Sequence, residues 1–330
     1  MQIWHNAAQI PRDLPESAVT VGIFDGVHRG HRAILAKTAQ VAAERDMPAL
    51  ALTFDPHPLR VHHPERKFQL ITSLSERLAR LEEAGIDGVF VQKYDLRYAQ
   101  TTPLDFVRGQ LLGQLHAKTV VVGQDVRFGK NNAGDGQMLK DFGARFGFSV
   151  VLLDDLCDRQ GRRWSSTWVR ELLAEGKVGE AMEVLGRPHR IRGIVRHGFK
   201  RGRKLGFPTA NLAGDNLGEV PADGVYAGRL ILPGCAANAA AYLPAAISVG
   251  TNPQFGGKSR TVEAHVLGRS DLNLYGQEIA LDFISYLRPM RKFSSVAALL
   301  SQMDDDLKHC AQKLGVPPAR RVPPQSVTAS

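Results

Sequence analysis

One ten-residue stretch constrains the fold of the first half of this chain: residues 22–31, which read Gly-Ile-Phe-Asp-Gly-Val-His-Arg-Gly-His. A β-rich run at residues 18–21 precedes it, and residues 33–44 follow with apolar side chains at helical spacing. The pattern predicts a strand, a tight turn and the start of a helix. Backbone N–H groups and the positive end of the helix dipole would face the strand end, which is a phosphate-binding geometry.

The turn combines small residues with two imidazoles. Gly26 and Gly30 have no side chain and allow a ligand to approach the backbone. His28 and His31 are three residues apart, so both can lie on one face of the first helical turn. They could donate hydrogen bonds to phosphate oxygens and to charge that develops on a leaving pyrophosphate. The alternative is an ordinary strand-to-helix turn with two exposed histidines.

Strands and helices alternate up to about residue 148. Apolar strands are predicted at residues 49–54, 88–91 and 119–122, and helices at 73–84 (capped by Ser73 or Ser75) and 104–115. Short apolar strands separated by helices indicate a parallel sheet covered on both faces. Ligands of such sheets bind at the carboxyl ends of the strands, so residues 24–31, 54–57 and 123–128 should converge.

The pattern changes in the second half. A helix predicted over residues 168–185 stops at Gly186, which we take as the domain boundary. Short strand candidates separated by glycine-rich loops then favour an antiparallel barrel, at residues 191–195, 224–230, 245–249, 261–267 and 279–287. A helix over 294–314 closes it. The predicted domains are 1–186 and 187–315, followed by a disordered tail at 316–330; residues 234–243 form an insertion without assigned function.

Composition narrows the class of protein. With 330 residues and 43% hydrophobic content, the chain can fold into about two domains. The net charge of +9 favours polyanionic ligands, which could be nucleotides, flavin phosphates or nucleic acid. The three cysteines are too few and too far apart for a disulfide framework or a zinc knuckle. No secretory signal or bilayer-spanning stretch is evident, so a cytoplasmic location is expected.

Several motifs carry a family resemblance. The His28-Arg29-Gly30-His31 segment matches the His-x-Gly-His signature of nucleotidyltransferases, and the whole ten-residue stretch resembles the bacterial bifunctional riboflavin kinase/FMN adenylyltransferases. Residues 54–58, 123–129 and 165–170 match further segments of that family. Val126 and Trp164 depart from its usual residues.

The resemblance implies a first site that transfers AMP from ATP to FMN and releases pyrophosphate. An FMN phosphate oxygen is already ionised at neutral pH, so positioning and charge stabilisation suffice. The catalytic residues would be His28, His31 and Arg170, and Ser165 and Ser166 can cap the helix that carries Arg170. The residues that would contact ATP phosphates are Gly22, Phe24, Gly26, Gly30, Ser165, Ser166 and Thr167. His57 would be a loop-fixing or flavin-side residue, and Asp125 would lie near ATP or on the flavin side.

Residues 193–211 resemble the riboflavin kinase signature, which implies a second site. Thr209 and Asn211 would bind Mg²⁺, a metal suited to hydroxyl and amide oxygens. Glu263 would accept the proton of the ribityl hydroxyl, and His265 shares its strand face and could orient it. The ATP-binding residues would be Gly198, Lys204, Gly206 and Phe207, and the flavin-side residues Asn252 and Phe255. Gln254 and Met290 depart from the family pattern.

We therefore predict an α/β nucleotidyltransferase domain with a Rossmann-like parallel sheet, followed by an antiparallel β-barrel riboflavin kinase domain with a C-terminal helix. The expected substrates are riboflavin, FMN and ATP, with Mg²⁺ as cofactor, FAD as the final product, and no nucleic-acid or membrane partner. The oligomeric state is left open, a homo-oligomer included. One alternative is a kinase with a weak or altered adenylyltransferase domain. Another is a non-catalytic flavin- or RNA-binding regulator, which should bind RNA in a salt-sensitive way.

Overall fold

The computed structural model describes residues 1–66, 68–197, 205–213, 217–232, 242–250 and 260–322. The chain divides into two compact units, Met1–Leu70 with Leu74–Ser166, and Ile71–Ser73 with Thr167–Ser330. The functional boundary at Gly186 stays a prediction. Gly198, Lys204, Asn252, Gln254 and Phe255 lie outside the described residues, as do most of the insertion and the end of the tail.

The first unit is built on a parallel sheet of six strands, in the order β1-β4-β3-β2-β5-β6. The strands are β1 (Gln2–Trp4), β2 (Ser17–Val21), β3 (Ala49–Asp55), β4 (Gly88–Lys93), β5 (Ala117–Gly123) and β6 (Ser149–Leu153). The predicted parallel sheet is confirmed. Because β4, β3, β2 and β5 are neighbours, the loops that follow them lie along one edge.

Helices connect these strands: α1 (Arg29–Glu44), α2 (Pro58–His62), α3 (Leu74–Glu83), α4 (Pro103–Asp105) and α5 (Gly136–Phe146). The segment predicted as an α-helix over 104–115 differs, because α4 continues as a π-helix over Phe106–Gln114. Its last turn is closed by the Leu115 N–H, which donates to the Gln110 carbonyl at 3.0 Å. Apolar periodicity marks a helical segment but does not distinguish this wider turn from an α-helical one.

Alternate residues of the central strands bury opposite faces of the sheet. Val19 and Val120 belong to one apolar cluster, whereas Ala18 and Val121 belong to the other. Strands that are buried on both faces contain the continuous apolar runs expected of a covered parallel sheet. This packing holds β2 and β5 in register and so fixes the positions at which their loops begin.

The second unit contains a closed barrel of six strands, in the order β10-β11-β8-β7-β12-β9, with antiparallel pairing throughout. The strands are β7 (His189–Arg196), β8 (Ala210–Ala213), β9 (Gly224–Ile231), β10 (Tyr242–Gly250), β11 (Thr261–Val266) and β12 (Glu278–Arg288). The predicted barrel is confirmed. Strand β8 had not been expected, because its short sequence follows a proline and a glycine-rich segment.

The α-helices among the described residues of this part of the chain are α6 (Ser166–Ala174), α7 (Val178–Leu185) and α8 (Val296–Leu314). The single helix predicted over 168–185 is wrong. Gly176 has a φ of 74°, which ends α6, and a Cβ at this position would lie 3.2 Å from the Tyr226 hydroxyl. Helix α7 packs against β12 and β7. The predicted closing helix is confirmed as α8, where the Ser295 side chain accepts the Ala298 N–H at 3.1 Å.

The first part of the predicted tail is attached to the barrel unit. The Val322 N–H donates to the Gly206 carbonyl at 3.1 Å, and the Val322 side chain is buried. Gly206 has a φ of 84°, and a side chain there would collide with the Val322 backbone. The disorder predicted for residues 316–330 therefore does not describe Val322.

Candidate active sites

The two histidines of the first motif stack on each other at the start of α1. Their ring centroids are 3.8 Å apart at an interplanar angle of 23°. His28 is the N-cap residue, and its Nδ1 accepts the His31 N–H at 3.4 Å. In a neutral imidazole this arrangement places the proton on Nε2, from which it can be donated to a phosphate oxygen. Gly30 lies between them, and a Cβ there would contact the His28 ring at 3.1 Å.

The turn before the histidines has an unusual backbone. Phe24 and Val27 have φ angles of 53° and 40°, and Gly26 has a φ of 78°. Phe24 is buried, and its ring meets His31 edge-on at 5.4 Å. Gly22, which starts the turn, donates its N–H to Leu52 at 3.0 Å. Left-handed conformations at non-glycine residues persist only where the surroundings hold them, and they cluster at functional sites.

The start of α6 contacts this turn within the first unit. The Ser166 hydroxyl donates to the Asp25 carbonyl at 2.8 Å, a contact different from the helix cap expected of it. The Trp164 ring lies under the Arg29 guanidinium at 5.4 Å, so this departure from the family pattern forms a cation–π contact beside the histidine motif. Ser165 lies between Trp164 and Ser166 in the sequence. Thr167 and Arg170 lie further along α6, in the second unit.

The two predicted flavin-side residues of the first unit follow β3 and β5, the two strands that flank β2. His57 is the buried N-cap of α2, where its Nδ1 accepts the Leu59 N–H at 3.0 Å and its ring contacts Phe68 at 4.6 Å. Asp125 follows β5 and forms an ion pair with Arg163. Val126, the other departure, packs against the apolar core.

A cluster of aromatic residues at the ends of β3 and β4 was missed by the sequence reasoning. Phe54 lies 5.9 Å from Tyr94 and 6.1 Å from Tyr98, and the two tyrosine rings are 5.5 Å apart. The Tyr94 hydroxyl contacts His62 Nε2 at 2.9 Å. The signal was present, because Tyr94 comes three residues after the strand predicted at residues 88–91 and therefore lies near its carboxyl end.

In the second unit, three predicted site residues come together on β8, β11 and the loop before them. Asn211 and Glu263 are cross-strand partners. The Thr209 hydroxyl donates to Glu263 Oε2 at 3.3 Å and accepts from Asn211 Nδ2 at 3.3 Å. Burial raises the pKa of the Glu263 carboxyl, and the hydrogen bond from Thr209 opposes that shift. A carboxylate and two neutral oxygen donors are thus placed at one spot.

His265 shares the strand face of Glu263 but has a different partner from the one predicted. Its Nδ1 donates to the Pro208 carbonyl at 2.8 Å, and its Nε2 has no hydrogen-bond partner among the described residues. Phe207, which is buried, meets the His265 ring at 5.5 Å. His265 therefore fixes the segment before Thr209. Burial lowers the pKa of its imidazole, which favours the neutral form.

A small cavity of about 40 Å³ opens beside Thr209. Its lining includes the apolar side chains of Leu272 and Leu274 together with Tyr275 and Arg269. The Tyr275 ring packs on His197 at 4.0 Å. On the neighbouring strand, Ser248 is the cross-strand partner of Glu263, and its hydroxyl contacts the Met290 sulfur at 3.7 Å. Met290 thus lies beside the strand next to Glu263, where the family pattern has an acid.

The side chains around Thr209 offer oxygen atoms that could bind a metal. Within the described ranges, no group of three or more His, Cys, Asp or Glu side chains could hold an ion. Mg²⁺ is usually bound by one or two protein oxygens together with substrate phosphates and water. The Thr209 hydroxyl, the Asn211 amide and the nearby Glu263 carboxylate fit that requirement.

Comparisons with known proteins agree with both halves of the chain. The FAD synthetase family model matches residues 10–168, and the riboflavin kinase model matches residues 185–314. The bifunctional riboflavin kinase/FMN adenylyltransferase of Escherichia coli (strain K12) is 34% identical over 302 residues, which cover 92% of this chain and 93% of that protein. The chain belongs to the bifunctional riboflavin kinase/FMN adenylyltransferase family. The predicted pair of activities is therefore confirmed at the level of the family.

Other relatives extend over the same length. The family member from Bacillus subtilis (strain 168) is 31% identical over 310 residues, covering 93% of this chain and 95% of its own. A crystal structure described as a macrolide-efflux protein from Streptococcus pneumoniae has a TM-score of 0.79 and 29% identity, covering 92% of this chain and 96% of that one.

Among the residues with described structure, no helix is both long and apolar enough to cross a membrane.

Proposed function

We propose that the first unit carries the adenylyltransferase site at the carboxyl ends of β2, β3 and β5. The stacked pair of His28 and His31 is the observation that supports it. An FMN phosphate oxygen attacks the α-phosphorus of ATP, the bond to the bridging oxygen breaks, and pyrophosphate leaves. The two imidazoles donate hydrogen bonds to the charge that builds up on the leaving group.

The remaining groups of this site have supporting roles. Ser165 and Ser166 bind ATP phosphates, and the contact between the Ser166 hydroxyl and the Asp25 carbonyl supports a position of these two serines beside the histidine turn. The family motif adds Thr167 to the phosphate-binding residues and Arg170 to the catalytic residues. Phe24 and the backbone of Gly22, Gly26 and Gly30 shape the same turn. The flavin lies toward His57, Asp125 and the aromatic cluster of Phe54, Tyr94 and Tyr98.

We propose that the second unit phosphorylates riboflavin at the site of Thr209, Asn211 and Glu263. Glu263 takes the proton of the ribityl hydroxyl, whose oxygen attacks the γ-phosphorus of ATP, and ADP leaves. Thr209 and Asn211 would hold Mg²⁺, which would offset negative charge on the phosphates. The cavity beside Thr209 provides apolar surface for the ATP base, next to Gly206 and Phe207. The sequence motifs add Gly198 and Lys204 on the ATP side, and Asn252 and Phe255 on the flavin side.

The weak-adenylyltransferase alternative rests on Val126 and Trp164, and both have structural roles here. Val126 packs against the apolar core, and the Trp164 ring contacts the Arg29 guanidinium. The test of the two-site assignment is a pair of variants, at His28 and at Glu263, each of which should lose one product only. The cytoplasmic location and the absence of nucleic-acid partners stay predictions.

The pH dependence of phosphorylation should report the environment of Glu263. Its pKa is raised by burial, and a base acts only when deprotonated, so kcat/KM should fall with decreasing pH through a pKa above the ordinary 4.5. The measurement is kcat/KM of FMN formation from neutral to acid pH at saturating Mg²⁺. The residual activity of a Glu263→Gln variant, measured in parallel, should lack this acid limb. A wild-type limb at or below 4.5 would contradict the role of the buried carboxylate.

A further inference from the structure

A buried guanidinium lies under the loops of the proposed adenylyltransferase site. Arg77, in the middle of α3, is 1% exposed. It lies on the apolar face of the helix, three residues after Leu74 and four before Leu81. An arginine is almost never fully buried unless it is paired, because removing its charge from water is costly. Its contacts should therefore account for its position.

Arg77 binds the backbone of two neighbouring strand ends. Its Nη1 donates to the Ile23 carbonyl at 2.9 Å, just after β2, and its Nη2 donates to the Phe54 carbonyl at 3.2 Å, near the end of β3. Nη2 also lies 3.9 Å from Asp55 Oδ1. One planar guanidinium group thus hydrogen-bonds to both loops and links them at the carboxyl-terminal edge of the sheet.

Both bonds lie directly beside strained or functional backbone. Ile23 precedes Phe24, the left-handed residue whose ring meets His31. The Thr53 hydroxyl also donates to the Ile23 carbonyl, at 3.1 Å, so that this oxygen has two donors. Phe54 belongs to the aromatic cluster and precedes the segment that ends in His57. A small shift of either carbonyl would move the histidine pair relative to the flavin side.

Nearby carboxylates compensate the buried charge. Burial lowers the pKa of the Arg77 guanidinium, whereas the negative charges of Asp25 and Asp55 raise it. Asp25 is itself buried and lies in the histidine turn, and its carbonyl accepts the Ser166 hydroxyl. The carboxylates of the two segments to which Arg77 bonds thus partly offset the cost of burying its charge.

We infer that Arg77 is a positioning residue for adenylyl transfer, which fixes the loop after β2 against the loop after β3 and so holds the histidine pair in register with the flavin side. The inference rests on the proposed location of that site. The role requires hydrogen bonds to two carbonyls, which a lysine ammonium on its flexible stem cannot reproduce as a rigid fork.

The test compares Arg77→Lys with a matched control, Arg80→Lys. Arg80 is on the same helix and 9% exposed, but it bonds to Glu76 at 2.6 Å and to Glu83 at 2.7 Å, both on α3. For Arg77→Lys we expect a loss of about 100-fold in kcat for FAD formation from FMN, the usual effect of a small misplacement of reacting groups. Arg80→Lys should lose less than about threefold. FMN formation, measured on the same preparations, should be unchanged in both variants.

A second readout does not depend on activity. Hydrogen–deuterium exchange should accelerate in peptides covering residues 22–28 and 54–58 in Arg77→Lys and stay at the wild-type rate in Arg80→Lys. Full retention of FAD formation in Arg77→Lys, an equal loss in Arg80→Lys, or a parallel loss of FMN formation would overturn the inference. A His28→Asn variant distinguishes a wrong site location from a wrong role of Arg77. If His28→Asn keeps FAD formation, the proposed location of the site is wrong. If His28→Asn loses FAD formation and Arg77→Lys does not, only the role of Arg77 is wrong.

Discussion

Replacement of His28 by alanine should reduce FAD formation from FMN by about 100-fold or more, the cost of losing a hydrogen bond made in the transition state. FMN formation from riboflavin should persist, because Thr209, Asn211 and Glu263 belong to the other unit. The measurement is the initial rate of each product, with FMN or riboflavin supplied separately. Loss of both activities would contradict separate sites.

His28 also caps α1, so the alanine variant alone does not separate catalysis from helix stability. His28→Asn resolves this, because asparagine is a good N-cap residue but has no imidazole. We expect FAD formation to be lost in both variants. Retention of FAD formation in His28→Asn would show that the histidine serves only as a cap, and it would contradict the proposed location of the site. His5→Ala provides the control, since His5 is exposed in the same unit and lies outside the histidine turn.

The second large effect is expected at Glu263. Glu263→Gln should lower FMN formation by about 100-fold or more, because the ribityl hydroxyl loses its general base. The glutamine amide oxygen can still accept the Thr209 hydrogen bond, so the local structure should be kept. Added FMN should still be adenylylated at the wild-type rate. The measurement is the rate of each half-reaction, with Mg²⁺ and ATP held constant.

The matched control for this variant is Glu278→Gln, at an exposed residue of the same barrel. It should leave both activities unchanged. Near-normal phosphorylation in Glu263→Gln would show that Glu263 is not the base. A loss of FAD formation in the same variant would instead point to a general loss of structure.

Much of the fold could be predicted because its signals are local. The apolar runs of β2, β3 and β5 mark buried strands, and their order along the chain places their loops at one edge. Breaks that depend on a single residue were harder to predict. The helix breaks at Gly176, which has a left-handed backbone and lies so close to the Tyr226 hydroxyl that a side chain would be crowded. A glycine in an apolar helical pattern does not by itself indicate such a break in the helix.

The site residues could be predicted from local motifs, whereas their partners in the folded chain could not. The spacing of the histidines and the family resemblance singled out His28, His31, Thr209, Asn211 and Glu263 as candidates, and the structure shows that the last three contact one another through Thr209. Partners supplied by tertiary packing could not be predicted in this way. The bond from His265 to Pro208 depends on the path of a loop, and the two carbonyls bound by Arg77 belong to strands distant in sequence. A charged residue on the apolar face of α3 was the one visible hint of that role.

The central claim, two consecutive ATP-dependent reactions on one chain, is tested most directly with labelled ATP. Purified protein is incubated with riboflavin, Mg²⁺ and ATP labelled at either the α- or the γ-phosphate, and the flavins are separated by chromatography over time. The γ-label should enter FMN first and then FAD, whereas the α-label should enter FAD only. Labelled FMN with no labelled FAD from either nucleotide would contradict the adenylyltransferase half, and the absence of any labelled flavin would contradict the account as a whole.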